Sequence, residues 1–474
     1  MAKDEIANLY ERTLGRSVRA KKWIVGAGLF LVLFVAMSNV GGLFSATHAA
    51  SLTLSGNAEV ARAAFGGSDA GSYLQAALGL RDLGPQGVGG NQWVYNLWPP
   101  GMVAVNLVLV LMERVSGVPY TFLLVSFSAL AWALILSRFL WFFEKRRSGF
   151  GVLFVAFFLL SSLGSTLLPI YIGYADALAA GFLLLAVLEL SERTPGRGGK
   201  DFSLYVRAAV FLSLAMHFRA TYETVTSFIL VVSTISVLLL VFVSQLPISG
   251  TKFSWKNPAS TVFFVALGAQ ILSVPWRLIA GTFVRPGDFR WSTVLDQAMG
   301  MRWYPTSMYT AEAGFLKNGH ANFGCINDPV RCEEIRIVEQ ASELPYSGGG
   351  AFTQANFQSE LVESFFNLPL IYALERFSML VSGFFSATGG TLGDWKVFEG
   401  LFLFVGVLLA FFLILKRRQG DSGGAWMAFL SIGALAGILL LFHMETRYMF
   451  PIKLLALFIT FIALSHRAKK SITP

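Results

Sequence analysis

Asp69 lies in a polar stretch, Gly67 to Gly101, that interrupts an otherwise apolar chain. Tyr73 and Gln75 follow it within two helical turns, and Trp98-Pro99-Pro100-Gly101 closes the stretch. A carboxylate in such a setting can take the proton from an acceptor hydroxyl as that hydroxyl attacks a carbon centre. Asp176, His217, Arg219, Glu223, Glu445 and Arg447 also fall where apolar runs end, with Tyr222 beside them. Arginine and histidine there can offset the negative charge that grows on a departing phosphate. An ionisable group at the centre of a membrane helix costs about 2.5–3.5 kcal/mol, so such groups mark function by default. Any one of them alone is explained by a helix end meeting water. Seven charged or ionisable residues of both signs, from four separate parts of the chain, point instead to one site.

Helices must carry these residues. Of the 474 residues, 55% are hydrophobic and 14% charged, against about 25% charged in soluble proteins. Several continuous apolar runs reach or approach the ~20 residues a spanning helix needs, whereas a β-barrel would show short alternating segments. The expectation is an all-α integral membrane protein of about ten transmembrane helices, with outer loops carrying short amphipathic helices. Trp23 to Phe44 is too long for a signal peptide and lacks a small-residue cleavage site. The net charge is +9. Its lysines and arginines gather beside the runs: Arg16 to Lys22, Lys145 to Arg147, Arg193 to Lys200, Lys416 to Arg418 and Arg467 to Lys470. Such clusters hold their loops in the cytosol, which assigns the charge to orientation rather than to nucleic acid.

With the basic clusters inside, residues 1-22 form a cytoplasmic amphipathic tail resting on anionic headgroups. Residues 23-281 form an N-terminal transmembrane module, with spans at Trp23–Phe44, Tyr120–Phe143, Phe150–Pro169, Asp176–Leu190, Ala208–His217, Thr226–Phe242 and Ser260–Ile279. Its first outer loop, 45-119, holds the Asp69 stretch and an apolar piece, Met102 to Met112. That piece reads as an interfacial or re-entrant helix, because counting it as a span would put Lys145-Arg146-Arg147 outside. The basic loop Glu192 to Arg207 lies inside. Residues 282-367 form a large outer loop in which Gly348-Gly349-Gly350 is a hinge. Residues 368-474 follow: Pro369 to Phe385 along the outer surface, then spans Phe398–Leu415, Ala425–Phe442 and Phe450–Leu464. Both termini are then cytoplasmic.

Cys325 and Cys332 both fall in the large outer loop. A disulfide stapling that loop fits an oxidising compartment, while a structural metal site would need more ligands than nearby His320 supplies. No P-loop, HExxH or GxSxG context occurs, so nucleotide hydrolysis and zinc proteolysis have no support.

Four segments, in order and at one topological level, carry a resemblance: Ser68-Asp69-Ala70-Gly71-Ser72-Tyr73-Leu74, Trp98-Pro99-Pro100-Gly101, Gly173-Tyr174-Ala175-Asp176-Ala177 and Glu445-Thr446-Arg447-Tyr448-Met449-Phe450-Pro451. In these the chain resembles the GT-C superfamily of polyprenyl-phosphate-dependent integral membrane glycosyltransferases. That superfamily includes the protein O-mannosyltransferases, the lipid A aminoarabinose transferase and the oligosaccharyltransferase catalytic subunits. The resemblance implies a GT-C-like fold in the bacterial inner membrane, with the active site on the periplasmic side. It implies Asp69 as catalytic base, with Arg447, Arg219 and His217 binding the donor phosphate. Asp176, Tyr73, Glu445 and Tyr222 would contact donor or acceptor. The donor would be a polyprenyl-phosphate sugar and the acceptor an envelope glycan, lipid or protein, with the bilayer as the remaining partner. No cofactor is required; Ala70 stands where many members carry a second acid, which speaks against a divalent cation. The absence of WWD favours transfer of a single sugar, with inversion. Two other readings stand beside it. A secondary transporter or lipid flippase would show internal repeats and paired broken helices. An undecaprenyl-diphosphate-dependent envelope polymerase or ligase would need Arg285 or Arg302 and tolerate loss of Asp69.

Overall fold

The computed structural model describes residues 21–38, 53–66, 68–91, 94–95, 99–145, 150–163, 172–192, 198–245, 257–284, 377, 380, 393–416, 423–441 and 446–472. The tail 1-22 (save its last two residues), Cys325, Cys332, the glycine hinge and nearly all of Pro369 to Phe385 lie outside them. Among the described residues the regular structure is helical throughout. The helices are α1 (Lys21–Ser38), α2 (Ala58–Phe65), α3 (Asp69–Leu83), α4 (Gly101–Ser116), α5 (Tyr120–Lys145), α6 (Phe150–Leu163) and α7 (Ala175–Ser191). They continue with α8 (Gly198–Phe218), α9 (Thr221–Gln245), α10 (Pro258–Ile279), α11 (Gly393–Lys416), α12 (Gly423–Leu441) and α13 (Thr446–Ile472). By length and composition α1, α5, α9, α10 and α12 suffice to cross a membrane, and shorter apolar stretches occur in α6, α8, α11 and α13.

Sequence chemistry sets several of these boundaries. Asn57 and Asn257 each accept a backbone N–H in the first turn of α2 and α10, which satisfies a donor no helical carbonyl can reach. Helix α7 is apolar on every side and almost all of it is buried, as a helix without a polar face must be. It forms the centre of the bundle. Around it α5, α6 and α13 are locked by aromatic rings. Trp132 stacks on Phe158 at 5.1 Å, Phe139 stacks on Phe154 at 4.9 Å, and Phe458 meets Phe139 edge-on at 5.2 Å. By contrast α9 and α10 expose Phe228, Val231, Ile235, Leu238, Ile271, Leu272 and Leu278, a surface suited to acyl chains rather than water.

Side-chain pairs order the two ends of the bundle. Lys21 at the start of α1 pairs with Glu144 at the end of α5 at 3.0 Å, and Lys22 lies over the Trp141 ring. At the same end Arg138 pairs with Glu189 and Glu192, Arg207 pairs with Glu189, and Lys145 lies 3.5 Å from Glu192. The starts of α7 and α9, with the joint that follows α8, lie at the other end. Sequence reasoning placed Glu192 to Arg207 in a loop. The structure starts α8 at Gly198, and Arg207, itself half exposed, sits on that helix and pairs with the buried Glu189.

Helix α4 touches helix termini on the far side of the bundle. Its first residue, Gly101, touches the end of α8, where an added Cβ would stand 2.5 Å from the His217 carbonyl oxygen. At its other end Glu113 accepts the backbone N–H of Tyr120, first residue of α5, at 3.0 Å and that of Ala58 in α2 at 3.3 Å. Both ends of a rod of about 24 Å therefore meet helix termini.

Candidate functional site

Three elements bring their charges together at the α4 end. Ser68 caps α3, its side chain accepting the Gly71 N–H, and so places Asp69 at the first position of the helix, where negative charge is favoured. Gly173, at φ 82°, turns the chain into α7 so closely that a Cβ there would lie 3.1 Å from Phe65 and 3.2 Å from Ala70. That contact presses the start of α7, and with it Asp176, against the start of α3. Arg219 occupies the two-residue joint between α8 and α9. Its Nη1 donates to Asp69 Oδ2 at 3.1 Å and its Nε pairs with Asp176 Oδ1 at 3.2 Å.

The burial of this triad is uneven. The Arg219 and Asp176 side chains are 8% and 7% exposed, while Asp69 is 19% exposed. Asp69 is thus the most exposed edge of the cluster. Asp176 Oδ2 is buried and has no hydrogen-bond partner among the described residues, so it retains full capacity to accept a hydroxyl. One cation between two carboxylates leaves a formal charge of −1, which suits a neutral hydroxyl better than a second anion.

Tyr73, one helical turn after Asp69, is fully buried beside the triad. Burial holds its hydroxyl well above the usual phenol range; Arg219 acts against this, and Asp69 and Asp176 add to it. Tyr222 lies in the field of Asp176 and Arg219 and is also buried. His217 packs against the Pro99-Pro100-Gly101 turn through Gly101. Its Nδ1 lies 2.7 Å from the Ser213 carbonyl oxygen, an atom that can only accept, so Nδ1 is the donor in that contact. Arg447 falls in the first turn of α13, its side chain outside the described set, and Glu445 is outside it altogether.

Sequence reasoning missed a second buried pair. Arg277, near the end of α10, donates through Nη2 to Glu223 Oε1 at 3.1 Å and to Gln270 Oε1. Gln270 Nε2 donates in turn to Ser227 Oγ at 3.1 Å. The available signal was an arginine inside an apolar run, two residues after Pro275. Lys453, buried in α13, was hidden in the same way. Among the described residues no group of three His, Cys, Asp or Glu converges as metal ligands would. No protein-family model, curated protein or solved structure matches this chain.

Proposed function

We propose that the chain is an inverting glycosyltransferase that moves one sugar from a polyprenyl-phosphate donor to a hydroxyl acceptor at the membrane surface. The reading includes a GT-C-like bundle of ten spans in a bacterial inner membrane, with the triad on the periplasmic side and both termini cytoplasmic. The observation that carries it is the convergence of Asp69, Asp176 and Arg219 from three distant segments, with Asp69 the most exposed of the three.

In this reaction the acceptor oxygen attacks the anomeric carbon from the face opposite the phosphate. Its proton passes to the Asp69 carboxylate as the new C–O bond forms. The bond from the anomeric carbon to the phosphate oxygen breaks with its electron pair, and polyprenyl phosphate leaves. Arg219 fixes the orientation of Asp69, and Asp176 Oδ2 can hold a sugar or acceptor hydroxyl. Cations outside the triad are left to meet the phosphate, for which Arg447 and His217 are placed by the sequence pattern.

The test is donor consumption by the purified full chain in lipid nanodiscs, across a panel of polyprenyl-phosphate sugars. Wild type should consume one of them, and Asp69→Asn should lower turnover by about 100-fold or more without loss of folding. Undiminished turnover by Asp69→Asn would remove the base.

A further inference from the structure

We infer that the end of α10 forms a phosphate-binding subsite whose ligand is Arg277, separate from the Asp69–Arg219–Asp176 triad. That the phosphate belongs to the sugar donor rests on the function proposed above; the binding itself does not. A guanidinium offers five N–H donors. Arg277 spends both of its bonds from one nitrogen, Nη2, on Glu223 and Gln270. Among the described residues its Nε and Nη1 make neither a hydrogen bond nor an ion pair, although the side chain is only 7% exposed. Toward the described residues, three donors of this buried cation are therefore left over.

Charge favours this arginine over Arg219. Arg219 already faces two carboxylates, so the triad repels a phosphate. The Arg277–Glu223 pair is neutral, and its second partner, Gln270, carries no charge. A charge-assisted bond to a phosphate oxygen, delocalised over a planar guanidinium, is the strong kind. The geometry is also set in advance. Gln270 is fixed by its bond to Ser227 with its oxygen toward Arg277, so the guanidinium does not need to reorganise on binding.

Ile271, Leu272, Leu278 and Ile279 of the same helix are exposed apolar residues, on the side of α10 turned away from Arg277. Pro275 has no N–H for the preceding turn, and a wider helical turn follows at Ala280–Val284; both loosen the helix beside Arg277. Glu223 stands one helical turn after Arg219, which keeps the subsite next to the triad.

The test is calorimetric binding to the purified full chain in detergent with three probes: farnesyl phosphate, farnesol and inorganic phosphate. Farnesyl phosphate should bind at least ~10-fold more tightly than farnesol. The double variant Glu223→Gln/Arg277→Gln, which leaves no buried charge unpaired, should lose that preference. Arg277→Lys, which keeps the charge without the planar donors, should fall between. Equal binding of farnesol, or an undiminished preference in the double variant, overturns the subsite. Should the double variant not fold, Arg277→Lys decides: an affinity equal to wild type overturns it. Displacement by inorganic phosphate at matching concentration identifies free phosphate as the source, and its failure to displace identifies the lipid; the phosphate assignment stands in either case. Because no probe carries a sugar, a wild type that binds farnesyl phosphate but transfers nothing refutes the transferase and keeps the subsite.

Discussion

At the scale of single residues, Arg219 decides the behaviour of the triad. Removing it leaves Asp69 and Asp176 facing each other in a largely buried setting. Arg219→Gln should therefore destabilise the protein by about 3–5 kcal/mol, read as a lower melting temperature in detergent. Arg219→Gln/Asp176→Asn should recover much of that loss; no recovery would mean that the two side chains are not coupled. Tyr73 gives a pH signature. Its folded hydroxyl is held above the phenol range by burial first, so its contribution is complete below the ordinary tyrosine range and erodes as pH rises beyond it. Tyr73→Phe should flatten the alkaline limb of the melting curve. Asp69, Asp176 and Arg219 were legible in the sequence because they flank apolar runs, where a charge stands out. Arg277 was not, because one arginine late in a run looks like an ordinary interfacial anchor. Its partners Glu223 and Gln270 lie 54 and 7 residues away, and only the packing of α9 on α10 brings Glu223 to it.

At the scale of elements, Glu113 is the joint of the outer helices. It accepts backbone N–H groups from the first residues of both α2 and α5, donors that no helical carbonyl can satisfy. Glu113→Ala should cost about 1–3 kcal/mol, measured by thermal melting, and loosen α2 before the central bundle as seen by amide exchange. A loss shared equally across all helices would contradict this. Helix existence was readable from the apolar runs, and each run read as a span carries a helix wherever it is described. The ends were less readable. The basic composition of Glu192 to Arg207 suggested a loop, and nothing in the local pattern reveals that a buried glutamate on α7 waits for Arg207. Met102 to Met112 was legible as something other than a crossing only through the charge balance of its neighbours.

For the whole molecule, the ion pairs at the α1 start bind four helices into one end. Burial pushes the Glu192 carboxyl up, but Arg138 and then Lys145 more than offset that and hold it below the usual carboxylate range. Its contribution is thus present above that range and lost as pH falls through the depressed value. Glu192→Gln should flatten the acid limb of stability; an unchanged limb would show that the network does not report on folding. The proposed orientation makes its own forecast. In intact cells, a cysteine introduced at Leu83 should react with an impermeant maleimide while one introduced at Lys145 should not, and the reverse result would invert the topology.

Helix α4 buries one stripe, Met102, Val103, Asn106, Leu109 and Val110, and turns another, Val108, Leu111, Met112 and Val115, outward. A rod that is greasy on two faces makes this shoulder of the bundle oily. Detergent must climb over that shoulder, so the solubilised particle should wear a lopsided collar. Serine at those four positions should shed bound detergent from one flank without touching the central helices.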